Sequence, residues 1–320
     1  MQEQEMFNVN LAMKMPWLGG FAGAVDIGED YLVSSSDGIG TKIQLFLDNR
    51  DADGVSIKNL GKDLVAMVFN DIVCTGAVPL FMNDYLAVHD LRISEINYLD
   101  LIAGINEGLT ELGVPCPLIG GETAIMPDMM EHGKFDIAGF GVGVIKKDLF
   151  IDGTKIKEGD VMVGLKSSGF HSNGYTLIRK VWQTQKYRNT QDENDALIQK
   201  LLTPTRIYVK SLLAVLSRHR KKVHGIAHIT GGGRDNLLRL LGEDINLRPQ
   251  WSNDWAKPEE FKWIQEKGEV SDQEMKRVFN DGIGMILVVH PNSVVAVVDT
   301  LTELGESPII CGKISSRLKQ

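Results

Sequence analysis

Apolar positions along this 320-residue chain switch repeatedly between a two-residue and a helical period. "DYLVSSS" (30–36) reads as a short strand. In "GKDLVAMVFNDIVCTGA" (61–77), Leu64, Val65, Val68, Phe69, Ile72 and Val73 fall on one helix face. "PLFMNDYLAV" (79–88) returns as a strand, and Ile102, Ile105, Leu109 and Leu112 predict a second helix over 98–113, stopped by Gly113. "FDIAGFGVGVI" (135–145) alternates, with Ala138, Phe140, Val142 and Val144 facing one way and glycines the other. Asp152-Gly153 and Glu158-Gly159 supply turn chemistry in a charged stretch, which predicts a boundary between domains 1–150 and 151–320. Beyond it the pattern gives a strand (161–166), a helix after Gly174, a polar segment (183–196), a helix over 205–218 and the strand 284–289. Strands and helices mixed in both halves predict a two-domain α/β (α+β mixed) fold.

Composition narrows the class. Hydrophobic residues make up 43% and charged residues 24%, enough for a sizeable core. A formal net charge of −8 argues against nucleic acid or an anionic membrane as partner. An anionic substrate would have to be held by local amides, cations or a metal. Cys74, Cys116 and Cys311 are scattered, odd in number and lack metal-ligand spacing, which reads as reduced intracellular thiols. The N-terminal "MQEQEMFNVN" has no signal-peptide character, and no run approaches the ~20 apolar residues of a membrane span. A cytoplasmic location is expected.

Candidate chemistry lies in glycine-bounded stretches. Neither a Walker A loop nor a Rossmann fingerprint is present: "GVSIKNLGKD" has the wrong glycine spacing, and "GFGVGVI" alternates as a strand interior. "SDGIGTK" places Asp37 at a strand end, followed by Gly38, Gly40, Thr41 and Lys42. A carboxylate there suits Mg²⁺ bridging phosphate oxygens, and Lys42 offers a compact charge to phosphate. The plainer reading is a turn, since Asp-Gly is a common turn pair. Asp71 stands near the end of the first helix, where a carboxylate opposes the helix dipole and a metal would relieve the mismatch; a solvated Asp is the alternative. "LIGGETAIMP" reads as a strand end whose Gly120 and Gly121 precede Glu122 and Thr123, a third carboxylate.

The second half repeats the design. "SSGFHSNGYTLIRKV" gathers His171, Ser172 and Asn173 before a helix whose first amides make an anion seat. "AHITGGGRDNLLRLL" runs from a strand through Gly231, Gly232 and Gly233 into a helix; phosphate binding and glycine-dependent packing both fit. The Asp-Gly-Ile-Gly of 37–40 returns at 281–284, there followed by "MILVV", so Asp281 reads as scaffold.

In order, "DGIGTK", "GKDLVAMVFNDIVCTGAVPLFMNDYLA", "GGETAIMP", "DIAGFGVGV", "SSGFHSNGYTLIRKV", "TPTRIYVKS", "AHITGGG" and "FNDGIGM" span Trp17 to Cys311. This ordered set resembles the AIR synthetase family of purine biosynthesis. The resemblance implies a two-domain fold whose N-terminal sheet forms a barrel across a homodimer. It also implies ATP- and Mg²⁺-dependent cyclisation of formylglycinamidine ribonucleotide to aminoimidazole ribonucleotide through a phosphorylated amide oxygen. Asp37, Asp71 and Glu122 would then be metal-linked. Gly19, Gly20, Gly38, Gly40, Thr41, Lys42, Gly120, Gly121, Thr123 and Ser172 would serve the nucleotide, His171 and Asn173 the reacting centre, and Gly231 to Gly233 the ribose phosphate. Two departures stand out: the leader lacks the family's usual motif before the glycine-rich loop, with Lys14 the available substitute, and Asp281 replaces a common Cys. Same-fold kinases acting on selenide, thiamine phosphate or hydrogenase-maturation substrates fit less well, because no Cys precedes Cys74 and the His-Ser-Asn-Gly loop favours AIR synthetase. A non-catalytic nucleotide-binding paralogue is the alternative from a different class.

Overall fold

The computed structural model describes residues 20–91, 96–241, 246–252 and 254–316; Lys14 and Gly19 lie outside the described residues. Its first half contains strands β1 (Gly23–Asp26), β2 (Asp30–Gly38), β3 (Val78–Val88), β4 (Leu118–Ile125) and β5 (Phe135–Lys146). With them come helices α1 (Lys42–Leu47), α2 (Lys58–Cys74) and α3 (Tyr98–Glu111). The sheet order is β1-β2-β5-β3-β4, with only β3 and β4 parallel.

The glycines of β5 decide which face of this sheet is covered. α2 lies across it with Leu64, Val65, Val68, Phe69, Ile72 and Val73 all buried. A Cβ at Gly141 would collide with Val68, and one at Gly143 would sit 2.8 Å from Ile72 Cγ2. The helix therefore rests almost on the strand backbone. Helices α2 and α3 meet as closely, since a Cβ on Gly104 would run into the backbone of Lys58. The opposite sheet face has no helix over it among the described residues: Tyr85 is 44% exposed, Phe140 43% and Val25 57%.

The second half holds β6 (Val161–Lys166), β7 (Val223–His228), β8 (Leu247–Trp251), β9 (Ile283–Val289) and β10 (Pro308–Ser316) in the order β7-β9-β6-β10-β8. Its helices are α4 (Tyr175–Gln185), α5 (Gln191–Leu201), α6 (Val209–His219), α7 (Glu259–Lys267), α8 (Asp272–Val278) and α9 (Val294–Glu303). Every residue of β9 is buried, as expected for an uninterrupted apolar strand near a sheet centre. The two halves share one core, and α2 joins them. Cys74 Sγ lies 3.9 Å from Met285 Sδ, while the Asn70 amide donates to Arg206 O and accepts from Tyr208 N.

Three local expectations change. The polar stretch 183–196 contains the start of α5, fixed by a reciprocal Thr190–Glu193 capping box that its composition hid. The helix expected from 205 begins at Val209, because the Thr205 and Tyr208 amides before it donate to the Asp63 and Asn70 side chains of α2. "GGETA", expected just past a strand end, lies inside β4. No helix among the described residues is long and apolar enough to cross a membrane.

Candidate functional site

Strand register sets the acidic part of the site. Asp37 pairs with Gly139, Gly139 with Asp84, and Asp84 with Gly121, so these residues form one row across β2, β5, β3 and β4. Residues directly opposite in register share a face. A Cβ at Gly139 would enter the α2 side and one at Gly121 would collide with Asp84, so the row faces α2. Burial raises the Asp37 carboxyl above the ordinary carboxylate range, and the charge of Asp71 on α2 adds to the rise, against a hydrogen bond from Gly38 N. Burial likewise raises Asp84. Asp37 and Asp71 are thus brought together.

Glu122 is not. It follows Gly121 in the same strand and pairs with Tyr85, which pairs with Ala138, so alternation sends it to the uncovered face. A strand ending before Glu122 would have left its direction free. Gly120 and Thr123 lie on the same exposed edge strand. Among the described residues no group of three or more His, Cys, Asp or Glu side chains is arranged to hold a metal. Two carboxylates still suit Mg²⁺, which normally takes one or two protein carboxylates and completes its shell with phosphate and water.

After Asp37 the backbone turns at Gly40 with φ +65°, in the left-handed region, with open space where a side chain would stand. Thr41 then reaches toward the start of α4, its Oγ1 3.5 Å from Thr176 Oγ1. Lys42 departs from the expected phosphate contact. It is fully buried and ion-paired to Asp63 at 2.8 Å. Its ammonium also donates to His171 O at 3.0 Å and Thr203 O at 2.7 Å. An ammonium has three donors, and all three are engaged. Asp63 in turn accepts from Ser172 Oγ, Thr205 N and Thr205 Oγ1, so the Ser172 hydroxyl is also committed inside the fold. A helical lysine after a glycine turn looks the same in sequence whether it points outward or inward.

The reacting-centre candidates converge under this pair. His171 adopts φ +60°, strained for a non-glycine residue at about 1–3 kcal/mol, and Lys42 fixes its carbonyl. A backbone N–H can only donate, so the 3.3 Å contact from Ser168 N leaves His171 Nε2 as acceptor and puts the proton on Nδ1. That Nδ1 is buried and lacks a partner. Burial, then the nearby His228, Lys42 and Arg206 charges, hold the imidazole well below its ordinary pKa, so it is neutral at pH 7. His228, at the end of β7, faces Asp71 Oδ1 through Nδ1 at 2.7 Å. Its other ring nitrogen, Nε2, is also buried without a partner.

Asn173 Nδ2 is a third orphan, and its Oδ1 lies 3.1 Å from where a Cβ on Gly231 would be. Gly231 to Gly233 lead into a 3₁₀ turn over Gly233–Leu240 rather than an α-helix, with the Asn236 amide donating to Gly231 O and Gly233 O. An unsatisfied buried polar group costs about 1–3 kcal/mol, which a bound ligand would offset. Sequence reasoning passed over His228 and Asp84. The available signals were a polar residue ending an apolar strand before a glycine run, and a second acid in "MNDY".

Comparison with known proteins gives the family. The family models for AIR synthase related protein match in both parts, the N-terminal domain over residues 19–145 and the C-terminal domain over 157–319. A phosphoribosylformylglycinamidine cyclo-ligase of Bordetella avium is 44% identical over 303 residues, covering 93% of this chain and 84% of that protein. Among solved structures, a HypE–HypF complex aligns with a TM-score of 0.70 at 15% identity, covering 98% of this chain and 93% of the other. The structure of AaThiL complexed with AMPPCP and TMP aligns with a TM-score of 0.66 at 14% identity, covering 99% and 89%. These structures share the fold. The relatives, the two matched domains and the ordered motifs show that the chain belongs to the AIR synthase related protein family.

Proposed function

We propose that this protein uses ATP to close formylglycinamidine ribonucleotide into aminoimidazole ribonucleotide, releasing ADP and phosphate. The name carried by its 44%-identical relative supports that reaction. The observation that carries the reading within the fold is the orphaned pair of ring nitrogens, the Nδ1–H donor of His171 and Nε2 of His228, both buried. A formamide oxygen would accept from His171 Nδ1, and the amidine group beside it would meet His228 Nε2.

In the reaction the formamide oxygen attacks the γ-phosphorus and ADP leaves. The amidine nitrogen then bonds to the activated carbon, the C–O bond breaks with release of phosphate, and the nitrogen loses its proton. His171 donates a hydrogen bond to the oxygen side while His228, held by Asp71, orients the N–H side. Asn173 and the loop at Gly231 to Gly233 seat the substrate, with the loop amides on the ribose phosphate. Asp37 and Asp71 are the residues that fit Mg²⁺, which when bound neutralises phosphoryl charge. Gly38, Gly40 and Thr41 line the nucleotide side, where the open turn at Gly40 leaves room. The uncovered sheet face, with Tyr85, Phe140 and Val25 exposed, supports a homodimer that covers it. Glu122, Gly120 and Thr123 lie on that sheet's exposed edge strand and would act at such an interface.

The test is an assay of purified protein with formylglycinamidine ribonucleotide, ATP and Mg²⁺. Aminoimidazole product is expected, and Asp37→Asn should lose at least about 100-fold in turnover while its circular dichroism stays native. ATP binding without turnover would support the non-catalytic reading; wild-type kinetics in Asp37→Asn would remove Asp37 from the site.

A further inference from the structure

The second Asp-Gly-Ile-Gly stretch, 281–284, with Asn280 before it, contacts both the loop that carries His171 and the arginine that follows the glycine run. Asn280 donates its amide to Gly169 O at 2.9 Å and accepts from Ser167 Oγ at 3.2 Å, while Gly282 O accepts from Ser167 N at 3.0 Å. This ties down the loop that carries His171. Gly284 has no side chain because a Cβ there would collide with His171 Cε1 and Tyr208 Oη. On the other side, Asp281 is 2% exposed, has φ +57°, and accepts from Arg234 Nε at 3.0 Å, with further contacts from Arg234 Nη2 and Lys257.

Arg234 directly follows the glycine run, and its guanidinium carbon lies 5.0 Å from the Trp251 ring and 4.7 Å from the Trp255 ring. Trp255 Nε1 donates to Asp281 O at 2.9 Å. Gly233 packs directly on the backbone of Lys276 and Phe279, where a Cβ would collide. Asp281 thus neutralises two cations and clamps the arginine that ends the glycine run. Its left-handed backbone suits Asp, one of the few non-glycine residues found there readily.

We propose that Asp281 is a positioning residue for the glycine loop 231–233, and that the turn Asn280–Asp281–Gly282 braces this loop and the His171 loop as one unit. It touches neither substrate nor nucleotide. The inference rests on the reading that loop 231–233 holds the substrate's phosphate.

The test is Asp281→Asn in the full chain, which keeps the size and the tolerance of positive φ while removing the charge. The KM for formylglycinamidine ribonucleotide should rise about ten- to a hundredfold, as expected for a displaced binding loop, with the KM for ATP within about twofold of wild type. Hydrogen exchange at residues 230–233 should quicken while α2 stays protected. Arg234→Lys, which keeps the charge but loses the planar fork, should show the same pattern more weakly. Unchanged exchange and KM in both variants would overturn the proposal. So would equal rises in both KM values with exchange quickened throughout, which marks general destabilisation. If wild type makes no aminoimidazole product, the proposed function fails, while exchange at 230–233 still decides the brace.

Discussion

Lys42 shows how far a single residue's meaning depends on its surroundings. Burial pulls its pKa down, and the carboxylate of Asp63 opposes that fall, so the ammonium stays inside as half of an ion pair. Removing one partner of a buried pair leaves the other uncompensated. Lys42→Met should therefore destabilise the protein by about 3–5 kcal/mol, read from urea unfolding. A lysine that only met phosphate would leave the unfolding midpoint unchanged and abolish turnover. The pair also reaches the chemistry, since Lys42 holds His171 O and Asp63 holds Ser172 Oγ. Asp281 illustrates the converse: read as scaffold from its apolar successor residues, it is buried and paired with Arg234 and Lys257, and that arginine follows the proposed phosphate loop.

At the scale of elements, β5 reverses the usual sense of an alternating strand. Over its middle, Ala138 and Phe140 are exposed, while Gly139, Gly141 and Gly143 face the helix and Val142 is buried. Alternation was legible in sequence, but which face is covered was not, because hydrophobicity alone would bury the phenylalanine. The glycines admit α2 to the strand backbone and so place Asp71 within electrostatic range of Asp37. Gly141→Val should cost about 1–3 kcal/mol through overpacking against Val68, visible as a lower melting temperature. An unchanged melting temperature would mean that α2 does not rest on β5 as described.

At the scale of the whole molecule, the exposed aromatic face and the site share one sheet. Phe140 and Tyr85 lie on its outer face, and Asp37 and Asp84 one residue over on its inner face. A dimer that covers the outer face would stiffen the strands carrying the acids. Phe140→Glu should shift sedimentation from dimer to monomer, since a charge in the middle of an apolar interface is strongly disfavoured. A wild-type protein that sediments as a monomer would remove this face as a subunit contact.

The sequence by itself determined most elements, because helical and two-residue periods record which faces are buried, and the ordered glycine motifs carried the family. Asp37, His171, Asn173 and Gly231 stood out as candidates because each lies in or beside a glycine-bounded turn, and Asp71 because it lies near the end of a helix. Only the tertiary structure decided direction. It turned Lys42 and Ser172 inward onto Asp63, sent Glu122 to the far face of the sheet, and paired Asp71 with His228 across 157 residues of chain. Periodicity is a local property of the chain, whereas the partner a side chain meets is set by strand register and helix packing between distant segments.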